Sequence, residues 1–360
     1  MEVYVKCSQY CLFNKNIIHL VILKTIKPVF VFIFIGFLSL SLKAQDPIFS
    51  QFFSAPLQLN PAFAGNTNLP KFAINYRNQW PELNAYTTYS FSVDQFFEYM
   101  NSGFGMQILS DNAGDGIYKT TKLSGIYAYR ARLTNDINLK FGVELGIVQA
   151  RLNFDKLIFF DQLNPEFGPI GPGGTVIPTQ ETRPDRPSAL YLDASIGGLI
   201  YSPNFYAGVS IKHLNRPSES ILDVNSNTFA GLPMRFSIHG GAEFDISIKN
   251  KWRYKTFIAP NLMYVKQGAF GQLNAGSYFG FGPFLTGAWL RIAQTNPDAV
   301  IFLAGVKDGM FRITYSYDLT VSNLGLSTGG SHEIGIIINL EERKGYKKPS
   351  RYNDCFNIFR

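Results

Sequence analysis

Few residues in this sequence have the types and the spacing that catalysis or metal binding requires. Beyond residue 44 the histidines are His213, His239 and His332, and each lies in a different, distant segment. A zinc site needs several ligands at close spacing, so each of these histidines is better interpreted as a structural residue. A hydrolytic Asp/His pair could be drawn from Asp161, Asp185 and His332, but their spacing does not bring them together.

Two glycine-containing stretches have a partial likeness to ligand-binding loops. Residues 168–174 (GPIGPGG) lack the Lys-Ser/Thr pair of a phosphate-binding loop, and residues 111–116 (DNAGDG) lack the closing glutamate of a calcium loop. We interpret the first as a surface loop and the second as a turn between strands. The sequence also has no Gly-x-Ser-x-Gly nucleophile elbow. These patterns predict a protein that is not an enzyme and that binds no cofactor or metal.

The strongest pattern is an alternation of apolar and polar residues, which indicates β-strands. In residues 139–147, apolar side chains alternate with Lys140, Gly142, Glu144 and Gly146. A period of two places the two sets on opposite faces of a strand. About 14 such segments follow one another from residue 71 to residue 341, and none has a sustained helical period.

The links between these segments alternate in length. One set consists of tight turns, whereas the other set contains every long loop, at residues 155–188, 215–232 and 322–331. Short turns at one rim and long loops at the other are typical of outer-membrane barrels, whose termini lie on the periplasmic side. A soluble β-sandwich gives no reason for this segregation.

The composition agrees with a sheet that faces lipid. Charged residues make up 16% of the 360 residues, aromatic residues make up 15%, and there are 32 glycines. The formal net charge of +7 falls to +3 without the five lysines and one glutamate of residues 1–43. A nucleic-acid-binding protein would need a clustered basic face, so this class is excluded.

The start of the chain is predicted to be a targeting segment. Lys24 and Lys27 precede an apolar run over residues 29–42, which suits a secretory signal peptide but is shorter than the ~20 residues of a membrane-spanning helix. We expect cleavage after Ala44 and export by the Sec route to a Gram-negative outer membrane; a retained anchor helix is the alternative. After cleavage Cys355 is the remaining cysteine, so no internal disulfide can form.

The predicted fold is therefore all-β, a single transmembrane antiparallel β-barrel of about 14 strands. A signal peptide (1–44) and an irregular N-terminal lead-in or plug segment (45–69), interrupted by Pro47, Pro56 and Pro61, precede the barrel at 70–341. Residues 342–360 form a basic tail, interpreted as a solvated periplasmic extension or as a docking tail.

The lipid environment also predicts which face of each strand points outward. Apolar residues must face lipid, so charged residues must line the lumen, where their mixed signs favour salt-bridge networks over an ion-selective pore. The candidate lumen network consists of Arg130, Lys140, Glu144, Arg235, Glu243, Arg312 and Asp318.

The longest loop is the best candidate for a surface that contacts a partner. It carries six prolines, which limit its freedom without pairing it to a strand, and a loop of this length in a compact barrel indicates a function. The candidate partner-binding residues are Asp161, Arg183, Asp185 and Arg186 in this loop and Arg216 in the next long loop.

Six segments together resemble the PorP/SprF family of Bacteroidetes outer-membrane proteins. They are DPIFSQFFSAPLQLNPAFAG (46–65), YRNQWP (76–81), YSFSVDQ (89–95), YAYRARL (127–133), KHLNRP (212–217) and SHEIGI (331–336), and the likeness extends from residue 45 to residue 340. The N-terminal motif contains Asp46, Pro47, Asn60, Pro61 and Gly65. The resemblance implies a barrel of the type IX secretion system, which exports adhesins, enzymes and gliding-motility proteins, and it provides no catalytic residues.

Two functional hypotheses follow, one from the resemblance and one from the charges that line the lumen. In the first, the protein is a non-enzymatic component needed for export or surface attachment of secreted proteins such as adhesins and gliding proteins. Its partners would be secretion components (a periplasmic lipoprotein ring or the translocon), secreted cargo and outer-membrane lipid. The choice between a core role and a cargo-specific role stays open. The alternative is a general diffusion channel, since mixed charges can line a wide lumen.

Overall fold

The computed structural model describes residues 46–165, 168–171, 174–175, 177–184, 186–221, 231–247, 256–293, 296–322, 328–343, 345 and 359. Across these residues the chain forms antiparallel strands joined by turns and loops. It also contains one short helix, α1, at Pro56–Leu59. Single-turn 3-10 helices lie at Pro61–Phe63, Pro81–Leu83, Glu98–Met100, Phe154–Lys156, Phe160–Gln162 and Leu340–Glu342.

The strands are β1 Lys71–Gln79, β2 Tyr86–Phe97, β3 Ser102–Ala113, β4 Tyr118–Arg132, β5 Asn138–Leu152, β6 Ser188–Tyr201, β7 Phe205–Lys212, β8 Arg235–Ala242, β9 Phe257–Gln267, β10 Phe270–Phe281, β11 Phe284–Ala293, β12 Asn296–Asp308, β13 Phe311–Thr320 and β14 Ser331–Asn339. A two-residue segment, Phe244–Asp245, continues β8 beyond Glu243 and also pairs with β9. Counted over the described ranges, these elements make a barrel of 14 strands.

Every strand pairs antiparallel with its neighbours in sequence, and the first strand pairs with the last. Lys71 of β1 lies opposite Asn339 of β14, and Gln79 lies opposite Ser331. This pairing closes the sheet into a barrel and leaves no free edge. The predicted closed antiparallel barrel is confirmed.

The alternation along each strand places charged residues inside and apolar residues outside. In β5, Lys140 and Glu144 are buried, whereas Val143 and Leu145 point outward and Leu145 is 71% exposed. Phe236 of β8 is also exposed. An outward apolar surface with buried charges is the reverse of a soluble protein and is the arrangement that lipid requires. Among the described residues, no helix is long and apolar enough to cross a membrane.

The two ends of the barrel differ in the length of their links. We call one the short-turn end, because it carries the tight links at residues 98–101, 133–137, 202–204, 282–283 and 309–310. The other is the long-loop end, which carries the links at residues 153–187, 213–234 and 321–330. The segregation of loops therefore agrees with the sequence pattern.

The N-terminal lead-in occupies the lumen of the barrel. Every residue from Phe49 to Asn68 is buried. Asp46 contacts His213, which follows β7 at the long-loop end, and Gly65 contacts Asp94, which lies near the short-turn end of β2. The segment thus passes through the lumen from the long-loop end to the short-turn end, where β1 begins.

Candidate functional site

The prolines of the lead-in fold it into two short helices inside the lumen. Pro56 and Pro61 each occupy the first turn of a helix, where the missing backbone N–H costs nothing. Asn60 ends α1 and begins the 3-10 helix, and its Oδ1 accepts a hydrogen bond of 2.9 Å from the backbone N–H of Ala62. The motif residues Asn60 and Pro61 therefore set the shape of the plug.

The side-chain amide of Asn60 also attaches the plug to three strands. Its Nδ2 donates to the carbonyl oxygens of Gly198 and Val209, at 3.0 and 3.1 Å, and lies 3.1 Å from Nε2 of His239. Asn60 is fully buried, so each of its polar atoms needs such a partner. The same residue thus caps a helix and holds the lead-in against β6, β7 and β8.

Glycines on the inner wall allow the plug to approach the strands closely. A Cβ atom at Gly142 would lie 2.3 Å from the backbone nitrogen of Ala62, and one at Gly103 would lie 2.2 Å from the carbonyl oxygen of Ala64. Gly65 itself has a φ of 70°, a conformation that favours glycine. Some of the many glycines therefore serve the contact between wall and plug, not the lipid face.

Near the short-turn end, two charged wall residues bind the lead-in backbone. Asp94 accepts a hydrogen bond of 2.9 Å from the N–H of Gly65 and lies 3.5 Å from the Lys71 ammonium. The Lys140 ammonium donates to the carbonyl oxygens of Ala64 and Gly65, at 2.7 and 2.9 Å. Charge-assisted bonds of this kind are stronger than neutral ones, so they fix this part of the plug.

A second cluster, which we call the Ser50 cluster, anchors the lead-in at the long-loop half of the lumen. It consists of Ser50, Gln51, Arg77, Arg291, Asp318 and Glu333. The Glu333 carboxylate accepts hydrogen bonds of 2.9 Å from the N–H groups of both Ser50 and Gln51. Arg77 pairs with Glu333 at 2.9 Å and with Asp318 at 3.1 Å. Asp318 also accepts a hydrogen bond of 2.6 Å from the Ser50 hydroxyl and pairs with Arg291 at 2.7 Å. The buried charges of the wall compensate one another directly, and Ser50 and Gln51 add hydrogen bonds from the plug.

A third cluster holds the start of the described lead-in. The carboxylate of Asp46 lies 2.6 Å from His213 and 3.2 Å from Arg235, and Nδ1 of His213 lies 2.9 Å from Asp193. Burial would raise the pKa of Asp46, but the charges of His213 and Arg235 outweigh it and hold that pKa well below its usual range. Burial would lower the pKa of His213, but the charge of Asp46 and the hydrogen bond with Asp193 raise it to about 9.

Three further wall residues extend this Asp46 cluster inside the barrel. Lys122 lies 2.7 Å from both Asp193 and Glu144, and Lys212 lies 3.1 Å from Glu144. The Arg235 guanidinium also donates to the carbonyl oxygen of Gln58, at 3.1 Å. Alternating positive and negative groups thus connect β4, β5, β6, β7 and β8 to the lead-in.

The predicted lumen network is divided among separate places in the structure. Glu144 and Arg235 belong to the Asp46 cluster, Asp318 belongs to the Ser50 cluster, and Lys140 binds the lead-in backbone. Arg130 packs elsewhere, with its guanidinium 4.2 Å from the Phe96 ring and 3.1 Å from Oδ1 of Asn101. Arg312 is buried on β13, and Glu243 is half-buried at the break in β8.

Sequence reasoning missed several charged wall residues of the clusters that hold the plug. Arg77, Asp94 and Asp193 are buried and charged, and all three point into the lumen. The alternation within their own strands could have identified them, because each occupies an inward position next to an outward apolar or aromatic residue. Arg77 and Asp94 also lie in the motif segments YRNQWP and YSFSVDQ.

The predicted partner-binding residues lie on the long loops. Asp161 accepts hydrogen bonds from the Thr179 hydroxyl at 3.0 Å and from the Gln180 N–H at 2.6 Å. Arg183 pairs with Asp155, and its guanidinium lies 5.4 Å from the Phe154 ring. Arg186 is exposed on the same loop, and Arg216 is exposed on the β7–β8 loop. Asp185, like Cys355 of the tail, lies outside the described residues.

The contacts of Asp161 and Arg183 brace a loop that exposes apolar side chains. Phe160 is 92% exposed and Ile158 is 61% exposed. The N–H of Phe159 donates to Oε1 of Gln162 at 2.9 Å, and the Gln162 amide donates to the carbonyl oxygen of Ile177 at 2.7 Å. The LIFF stretch at 157–160 was the available signal for this feature.

Across the described ranges, no group of three or more His, Cys, Asp or Glu side chains could hold a metal ion.

Solved outer-membrane proteins have some similarity to this chain. A KdgM porin is 8% identical with a TM-score of 0.33, and the match covers 75% of this chain and 99% of the porin. A TodX deltaS2S3 mutant monoaromatic hydrocarbon channel is 11% identical with a TM-score of 0.42, covering 79% and 92%. BamA from Haemophilus ducreyi lacking POTRA domains 1-3 is 10% identical with a TM-score of 0.38, covering 76% and 70%. These values carry no functional argument.

The sequence comparisons are more informative. The search of curated proteins gave no match. In contrast, the family model described as "Type IX secretion system membrane protein PorP/SprF" matches residues 41–338, which is most of the chain. The match confirms the resemblance carried by the six segments. The chain therefore belongs to the PorP/SprF family of type IX secretion system membrane proteins.

Proposed function

We propose that this protein is a non-enzymatic outer-membrane component of type IX secretion. It is exported by the Sec route, loses residues 1–44 as a signal peptide, and is needed for export or surface attachment of secreted proteins such as adhesins or gliding proteins. Family membership and the lipid-facing outer surface of the barrel support this proposal. Cargo and secretion components bind it at the rims.

The observation that carries the proposal is the filled lumen. The lead-in is buried from Phe49 to Asn68 and is held by charged wall residues at both halves of the barrel. Removing such a segment would take away the main-chain hydrogen bonds that it makes with Glu333 and Lys140, which are charge-assisted and therefore strong. This packing speaks against a general diffusion channel and leaves the loops and the short-turn end as the surfaces for partners.

We further propose that the braced loop between β5 and β6 contacts secreted cargo outside the cell. Ile158 and Phe160 are held outward by contacts that exist without a partner, so little conformational freedom is lost on binding. Aromatic residues with this exposure are frequent anchors in protein interfaces. The short-turn end would then face the periplasmic components.

A deletion strain tests the role in secretion. Cells without the gene should grow with intact envelopes but lack one or more large proteins at the surface, measured by surface and secreted proteomics. Complementation with the Ile158→Ala/Phe160→Ala double variant should restore the barrel but not the full amount of surface protein. Leu145→Ala, which removes an exposed apolar side chain from the lipid-facing wall of β5 and not from a rim, is the control. Unchanged proteomes in the deletion strain would reject the proposal.

Planar-bilayer recordings of the purified full-length protein test the diffusion-channel alternative. A barrel that retains its lead-in should show no steady conductance. Steady open channels, together with normal secretion in the deletion strain, would favour the channel instead.

A further inference from the structure

Phe359, a residue of the C-terminal tail, is buried in the barrel near the short-turn end. Its side chain is inaccessible to solvent. Its ring stacks on Phe63 of the lead-in, with ring centroids 4.4 Å apart and an angle of 25° between the planes. The ring also packs edge-on against Tyr206 of β7, with the centroids 4.9 Å apart. Phe359 therefore contacts both the plug and the wall.

The main chain at Phe359 is also bound. The Lys71 ammonium donates a hydrogen bond of 3.0 Å to the carbonyl oxygen of Phe359. The same ammonium lies 3.5 Å from Asp94, which accepts a hydrogen bond from the N–H of Gly65 in the lead-in. One buried Lys/Asp pair thus holds the lead-in and the tail together.

Phe63 and Tyr206, which pack around Phe359, are held in position by contacts that do not involve Phe359. Phe63 also stacks on His239, with centroids 5.3 Å apart, and the hydroxyl of Tyr206 donates to Oδ1 of Asn261 at 3.0 Å. Aromatic pairs in such geometries are favourable beyond the area that they bury. The site is therefore preorganised for one aromatic ring and one peptide carbonyl.

We infer that the short-turn end of the lumen contains a binding site for an aromatic residue of a peptide, formed by Phe63, Tyr206 and Lys71. In this chain Phe359 occupies the site, and by packing on Phe63 it locks the lead-in inside the barrel. The ligand class is a peptide segment with an aromatic side chain and a free main-chain carbonyl acceptor. This inference concerns the protein by itself and does not depend on its role in secretion.

The test measures how often the lead-in becomes accessible in the full-length, folded protein. Thr67 is buried beside the short-turn end, and Thr67→Cys in a Cys355→Ser background provides a reporter thiol. Maleimide labelling of this thiol should become roughly ten-fold faster with Phe359→Ala, because displacement of the lead-in then no longer requires the exposure of a buried aromatic ring. Phe359→Trp should keep labelling slow, and Tyr99→Ala, which removes an exposed aromatic residue at the same rim, should have no effect.

A peptide experiment separates ring recognition from general destabilisation. The chain shortened after residue 343 should label as fast as Phe359→Ala, and a synthetic peptide of residues 344–360 should restore slow labelling. The same peptide with alanine at position 359 should not. Heat-modifiable migration on gels confirms that each barrel is folded. Slow labelling of folded Phe359→Ala protein would overturn the inference, and so would equal protection by the two peptides.

Discussion

The carboxylate of Asp46 lies 2.6 Å from Nε2 of His213, so the first described residue of the lead-in is tied to the residue that follows β7. The other imidazole nitrogen lies 2.9 Å from Asp193 of β6. His213 has a φ of 57°, which non-glycine residues seldom adopt, so the turn after β7 holds the ring in this position at some cost. An imidazole between two carboxylates is most stable as the cation.

This geometry predicts that stability decreases at alkaline pH. The pKa of His213 is raised to about 9 in the folded protein, against about 6.5 in an unfolded chain. Its contribution to stability, of the order of 3 kcal/mol, is therefore fully present below about pH 6.5 and is lost as the pH rises through about 9. The free energy of unfolding in lipid or detergent, measured by urea titration from pH 6 to 10, checks this.

The matched variant for that titration is His213→Gln. Its unfolding free energy should fall less between pH 6.5 and pH 10 than that of the native protein. The charged groups around the ring, Asp46, Asp193, Arg235 and Lys122, are the same in both proteins. Identical pH profiles for the two proteins would contradict a cationic His213.

Gly142→Ala should destabilise the barrel by about 1 to 3 kcal/mol, because the new methyl group would overlap the lead-in. A Cβ at this position would lie 2.3 Å from the nitrogen of Ala62. Gly125→Ala in the neighbouring strand is the control, since a Cβ there meets no atom within 4 Å. Equal unfolding free energies for the two variants would show that the lead-in is not packed against β5.

Arg77→Met should cost about 3 to 5 kcal/mol, because it takes the paired arginine away from the buried carboxylate of Glu333 and leaves Asp318 with Arg291 alone. Arg77 pairs with both Glu333 and Asp318, and all three side chains are buried. Arg132→Met, which changes an exposed arginine at the short-turn end, should be nearly neutral. Thermal unfolding of the two variants in the same detergent measures the difference, and a neutral Arg77→Met would contradict the charge compensation described for the Ser50 cluster.

A disulfide between lead-in and wall should leave secretion unchanged, because the plug is a fixed part of the barrel core. The hydroxyl oxygens of Ser54 and Thr314 are 3.4 Å apart, which suits a Ser54→Cys/Thr314→Cys pair in a Cys355→Ser background. Surface proteomes of oxidised cells carrying the pair should match those of the Ser54→Cys single variant. Secretion that fails on oxidation and returns with reductant would show that the plug must move.

The sequence was sufficient to predict the barrel because the alternation repeats in almost every strand and the charges fall on one face. Lys140 and Glu144 could be placed inside from their own strand alone. The contacts of the lead-in could not be predicted in this way. Its prolines and few charges indicate an irregular segment, but the partners of Ser50 and Asn60 lie on strands that are distant in sequence.

Which glycines contact the plug could not be predicted from the sequence either. Composition led us to interpret them as part of the lipid face, yet Gly142 and Gly103 serve the plug. Only the position of the lead-in distinguishes the two roles, because an inward and an outward glycine look the same in a strand of alternating residues. The interruption of the strand between Ala242 and Phe244 likewise has no signal in the alternation, which continues through it.

The hydrogen bond between Ser50 and Glu333 joins residues 283 positions apart, so it can form only after almost the whole chain has been synthesised. The lead-in lies inside a sheet that closes between its first and its last strand, β1 and β14. A finished cylinder offers no side entrance to a folded helical segment. We therefore expect the lead-in to be in place before the seam between β1 and β14 closes, so that filling and closure of the lumen occur together during membrane insertion.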